Sequence, residues 1–151
     1  MNDFWLGVIS TIIGIFIGFL FSLLNQLFIN RKEKRLLLEQ YLIRFKEEAR
    51  IYLEYDLGVE HNFKQGLENF TEANKKAYIF YSLIKLKAQI PVQTNELYKK
   101  ISIDNKKIVN AYLKNGFSTS LIIDFRELLD QFDNFTKSLD DAVIKILKRK
   151  I

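Results

Sequence analysis

His61 is the only histidine in this 151-residue chain, and there is no cysteine. A protein zinc or di-iron site needs several imidazoles, thiolates or carboxylates at defined spacing. H-E-x-x-H and paired E-x-x-H are both absent here. A Ser-His-Asp triad would have to be built on His61, for which a surface or core-edge position is the expectation. The six glycines, at 7, 14, 18, 58, 66 and 116, are too dispersed for a phosphate-cradling loop. Asp124 and Glu127 have the spacing of neighbours on a helix. In that register, however, Glu127, Asp130, Asp133, Asp140 and Asp141 fall opposite an apolar stripe, as on a solvated face rather than in an acid/base pair. Tyr41, Tyr52, Tyr55, Tyr78, Tyr81, Tyr98 and Tyr112 could stack bases or line a ligand pocket, but at helical spacing they are expected in a core with the hydroxyl reaching water. These residues assign no catalytic, cofactor-binding or metal-ligating position, and a non-enzymatic protein is expected. The lack of cysteine fits a reducing compartment and excludes disulfides and thiolate chemistry.

The stretch that must position everything else is residues 4 to 30, FWLGVISTIIGIFIGFLFSLLNQLFIN, which holds no charged side chain. Phe4 to Leu24 alone would make a helix of about 32 Å, matching a hydrocarbon layer of about 30 Å. A cleavable leader would need a basic start, a shorter apolar core and small residues at its end. Met-Asn-Asp precedes the run and Asn25-Gln26-Leu27-Phe28-Ile29-Asn30 closes it, so a retained anchor is the reading. Arg31, Lys32, Lys34 and Arg35 follow immediately, which predicts a single-pass protein of the cell membrane with its N-terminus outside and residues 31 to 151 in the cytoplasm. Trp5 would then lie at the outer interface.

Within the anchor, Gly7, Thr11, Gly14, Gly18, Ser22 and Asn25 are spaced 4, 3, 4, 4 and 3, so they form one stripe that includes a G-x-x-x-G. Small residues let two backbones approach, and Asn25 adds a hydrogen-bonding group near the inner end. The stripe predicts a helix–helix interface in a homo-oligomer.

With 48% hydrophobic and 27% charged residues, the remainder suits one folded domain. It carries 23 basic and 17 acidic side chains, a net +6. An anionic inner leaflet accounts for that excess, and nucleic acid is not expected as a partner. The fold class predicted is all-α, with an N-terminal transmembrane helix (1–30) followed by an antiparallel bundle of about four helices (31–151). The first helix continues from the anchor to about Leu57 on a stripe of Leu38, Leu42, Phe45, Ala49 and Tyr52, with Leu36, Leu37, Ile43 and Ile51 on a second face and Gly58 as its stop. Val59 to Phe70, with Gly66 inside it, reads as a connection or a short helix. A second helix starts near Thr71 as its cap and ends before Pro91. It is apolar on two sides, Ala73, Ala77, Phe80 and Ile84 on one and Ile79, Leu83, Leu86 and Ile90 on the other, which predicts a central place.

A third helix covers about Thr94 to Asn115 on Leu97, Ile101, Ile108 and Tyr112. Asp104 and Asn105 interrupt it; they could form a buried polar pair, but solvent exposure through a small rotation or a frayed turn is the expectation. The fourth keeps 4 and 3 spacing through Leu121, Phe125, Leu128, Phe132, Phe135, Leu139, Ala142 and Ile146. Early acids from Asp124 and late bases from Lys145 would complement its dipole at both ends. Four antiparallel helices would return Lys148, Arg149 and Lys150 to the surface already faced by Arg31, Lys32, Lys34 and Arg35, for contact with anionic lipid.

These features predict a membrane-anchored interaction protein, that is, a scaffold, sensor or regulatory subunit at the inner leaflet with a protein partner. The alternative is a membrane-acting effector, pore-forming or depolarising, restrained by its bundle.

Overall fold

A computed structural model describes residues 3–50 and 56–149, with side chains from residue 7 onward. Trp5, Ile51, Tyr52, Tyr55 and Lys150 therefore lie outside the described side chains. The described residues form four helices and no strand: α1 (Asp3–Glu48), α2 (Glu60–Lys87), α3 (Val92–Asn115) and α4 (Thr119–Lys148). They divide into two compact units, 1–37 and 38–151.

The first unit is the apolar part of α1. It is long and apolar enough to cross a membrane, and none of its most apolar window is buried within the chain. Side chains such as Ile13 and Phe16 point out on every side. Two hydroxyls that could disturb such a helix are satisfied inside it. Ser10 Oγ donates to the Gly7 carbonyl at 3.0 Å and Thr11 Oγ1 to the same oxygen at 2.8 Å, as an apolar surrounding requires.

The second unit is a helical bundle built on heptad-spaced stripes. Leu38, Leu42 and Phe45 at the end of α1 are buried as their spacing predicts. In α4, Leu121, Phe125, Leu128, Phe132, Phe135 and Leu139 are all buried, and Val143 continues the stripe. Phenylalanines dominate the centre. The Phe135 ring lies 5.8 Å from Phe45, 5.2 Å from Tyr81 and 5.1 Å from Tyr98, while Phe125 bridges Phe63 and Phe70 at 5.6 and 5.9 Å. Each fully buried ring stabilises the unit by about 1.5–3 kcal/mol relative to exposure, so this cluster is the main reason the stripes stay together.

Short connections turn the helices back on one another. Pro91 precedes α3, where its missing N–H costs nothing. Gly116 ends α3 with φ 77°, a left-handed conformation that side chains other than glycine rarely adopt, and its N–H donates to the Tyr112 carbonyl at 2.9 Å. Ser118 Oγ then accepts the Leu121 N–H at 3.3 Å and caps α4. The basic end of α4 is as expected, but its first turn holds no acid. Asp124 lies too far along to act on a dipole that fades within one turn.

Other expectations are corrected as well. α1 stops at Glu48, short of Leu57, and Gly58 belongs to a turn in which its N–H donates to Asp56 Oδ1 at 2.9 Å. Residues 60 to 70 are neither connection nor separate helix. They are the first turns of α2, where burial of Phe63, Leu67 and Phe70 outweighs the cost of about 1 kcal/mol for a helical glycine at Gly66. Thr71 is consequently internal, its hydroxyl donating to the Leu67 carbonyl at 2.8 Å instead of capping. The second apolar face of α2 is not buried throughout, because Ile79 and Leu86 are 58% and 78% exposed. Asn105 is buried in α3, not solvated.

Candidate functional site

Two regions could support function. On α1, the six stripe residues, Gly7, Thr11, Gly14, Gly18, Ser22 and Asn25, are all exposed. A Cβ placed on Gly7, Gly14 or Gly18 would meet nothing within 4 Å beyond its chain neighbours and the backbone of its own helical turns. Nothing inside the chain therefore requires glycine at these positions. Thr11 already donates its hydroxyl to Gly7, whereas Asn25 makes no side-chain hydrogen bond among the described residues and edges a shallow hollow with Ser22 and Phe28. Arg31, Lys32, Lys34 and Arg35 follow on the same helix and are exposed, as are Lys148 and Arg149 at the end of α4.

The other region lies between α2 and α3. A groove of about 780 Å³ opens there, within the 300–1,000 Å³ usual for small-molecule sites. Its floor is polar because two core positions are polar. Asn74 and Asn105 occupy the inward stripes of α2 and α3 and are 8% and 7% exposed. Thr71 Oγ1 lies 3.4 Å from Asn105 Oδ1, but Asn74 Oδ1 has no hydrogen-bond partner. One wall is aromatic. Tyr78 stacks on Tyr98 with ring centroids 5.5 Å apart at 18°, and Tyr98 lies 4.8 Å from Tyr81. The Tyr81 hydroxyl donates to Asn95 Oδ1. Burial, reinforced by Tyr98 and Tyr78, pushes the Tyr81 phenol up to about 12. Burial also raises Tyr98, against the lowering effect of its hydrogen bond with Ser102. Both rings stay neutral at physiological pH.

The residues considered for chemistry are dispersed. His61 is exposed in the first turn of α2, and among the described residues no three His, Cys, Asp or Glu side chains are grouped to hold a metal. Asp124 and Glu127 edge a small hollow with Asp104 and Lys107. The groove residues Asn74 and Asn105 are not marked as a site by any sequence motif. Their signal is a polar side chain in phase with an apolar stripe: Phe63, Leu67, Phe70, Asn74, Ala77, Tyr81 and Ile84 are spaced 4, 3, 4, 3, 4 and 3. No family model, curated protein or solved structure matches the chain.

Proposed function

We propose that this chain is a membrane-anchored, non-enzymatic interaction protein that self-associates through the glycine face of its anchor. The carrying observation is the open space at Gly7, Gly14 and Gly18. Three glycines on one exposed face cost helix propensity without relieving any contact inside the chain, so their use lies in the approach of another helix. The unpaired amide of Asn25 on the same face would find its partner in that second copy. The basic residues after the anchor support an orientation with the bundle in the cytoplasm, against an anionic leaflet. The bundle would then present its surface to a protein partner as a scaffold, sensor or regulatory subunit.

Crosslinking of the full chain in membranes tests the reading. An added Cβ is unobstructed at Gly14 and Gly18, so Gly14→Leu and Gly18→Leu should leave the monomer folded while reducing crosslinked dimer or higher oligomer. Phe16→Leu, on another face, should not. Equal crosslinking in all three variants would sink the proposal.

A further inference from the structure

We infer that the groove between α2 and α3 binds a nucleotide, meaning a small phosphorylated molecule with a planar, hydrogen-bonding ring. This inference rests on the second unit alone and is independent of self-association.

The groove has an anion's rim. Lys75, Lys85, Lys99 and Lys106 line it, and no Asp or Glu does. Lys99 is shared with Glu96 at 3.1 Å, and Lys85 Nζ sits 5.3 Å from the centroid of the Tyr81 ring. Lys75 and Lys106 enter no ion pair among the described residues. Four lysines along one groove, two from each helix and with no acid among them, favour a bound anion such as a phosphate. A bare anion would leave the rest of the groove unused. Tyr78 is 51% exposed although one of its faces is covered by Tyr98, so its other face is open to a third planar ring. The edge of such a ring would also meet the amides. Asn74 lines the groove and its Oδ1 is a buried acceptor without a donor, a costly arrangement that a ring N–H or amino group would complete once the amide turned toward the groove. Lysine rim, open aromatic face and unpaired amide acceptor match the phosphate, plane and edge of a nucleotide in turn.

The full chain in phosphatidylcholine nanodiscs would be titrated calorimetrically with ATP, GTP and cyclic di-AMP, and with inorganic pyrophosphate and inositol hexakisphosphate as anions lacking a base. At least one nucleotide should saturate one site per chain and bind about tenfold or more tightly than either base-free anion. Tyr78→Ala should weaken it about tenfold by removing the stacking platform, as should Lys75→Glu with Lys106→Glu. Lys64→Glu with Lys114→Glu, exposed outside the groove, should change nothing. Asn74→Leu removes the unpaired acceptor, so it should raise the unfolding midpoint of the free protein while lowering affinity. A purely structural asparagine would not show that opposition. No nucleotide binding, equal binding of pyrophosphate or inositol hexakisphosphate, or indifference to the rim and Tyr78 variants in folded protein would overturn the inference. Gly14→Leu should leave nucleotide binding intact, so failure here and failure of self-association are separate outcomes.

Discussion

The apolar part of α1 and the whole of α4 are both long helices rich in Leu, Ile and Phe, yet their side chains meet opposite fates. In α4 the large apolar residues are gathered into one stripe, and Phe125, Phe135 and Leu139 are fully buried by the chain itself. In α1 they surround the helix, and Ile13, Phe16 and Phe21 remain exposed. The difference lies in distribution more than in amount. A stripe can be covered by neighbouring helices of the same chain, whereas a helix apolar all round needs a surrounding that is itself apolar. α4 is completed by its own protein, whereas the apolar part of α1 needs something outside the chain.

The largest expected effect tests that contrast directly. Phe135→Ala would open a cavity where Phe45, Tyr81 and Tyr98 converge, with a loss of about 3–5 kcal/mol in the stability of the bundle. Phe16→Ala in the anchor should leave bundle unfolding unchanged when the full chain is denatured in micelles. If the two variants lowered the unfolding midpoint equally, the division between self-completed and externally completed helices would be wrong.

A smaller effect sharpens the contrast within α1 itself. Asn25, like Ser22, is a polar member of the glycine face with no side-chain hydrogen bond among the described residues, unlike Thr11, which is satisfied by Gly7, and its amide has more to gain from a partner helix than a hydroxyl has. Asn25→Leu should therefore weaken association of the anchors by about 1 kcal/mol, while Thr11→Val should have little effect. Energy transfer between labelled copies diluted progressively in lipid measures both. Association that follows Thr11 rather than Asn25 would place the contact at the other end of the helix.

The ease of reading each region from sequence follows the same division. The anchor and α4 are legible because one kind of residue repeats without interruption, all round in one and at 4 and 3 spacing in the other. α2 is harder. Phe63, Leu67 and Phe70 belong to the same stripe as Ala77 and Ile84, but Gly66 and Thr71 resemble a stop and a cap, and Asn74 breaks the apolar series. Local signals for a boundary thus compete with a long-range stripe, and tertiary burial decides for the stripe. The candidate groove is hidden for a related reason. Asn105 looks like a solvated interruption until α2 is placed beside it, since burial of a polar group depends on what the neighbouring helix brings. The glycine face of α1, by contrast, is visible in spacing alone.

The smallest effect concerns the tyrosine at the edge of that groove. Tyr81 is 1% exposed and its hydroxyl donates to Asn95. Tyr81→Phe should cost about 0.5–1.5 kcal/mol at neutral pH through that bond. The pH dependence has a fixed sign. An unfolded tyrosine loses its proton near 10, whereas Tyr81 in the fold is pushed up to about 12. Between those values the folded chain holds a proton that the unfolded chain has released, so stability falls as pH rises through the window. It is fully present below about 10, the ordinary tyrosine value. A phenylalanine ring has no proton to lose at this position, so the variant should lose less stability over the same range. The gap between the two proteins should narrow from pH 10 upward even though Tyr98, which is also raised, keeps some slope in both. Chemical unfolding at a series of pH values gives the two curves. Parallel curves would mean that the Tyr81 proton is not held by the fold, and that the aromatic wall of the groove is more open to water than its burial indicates.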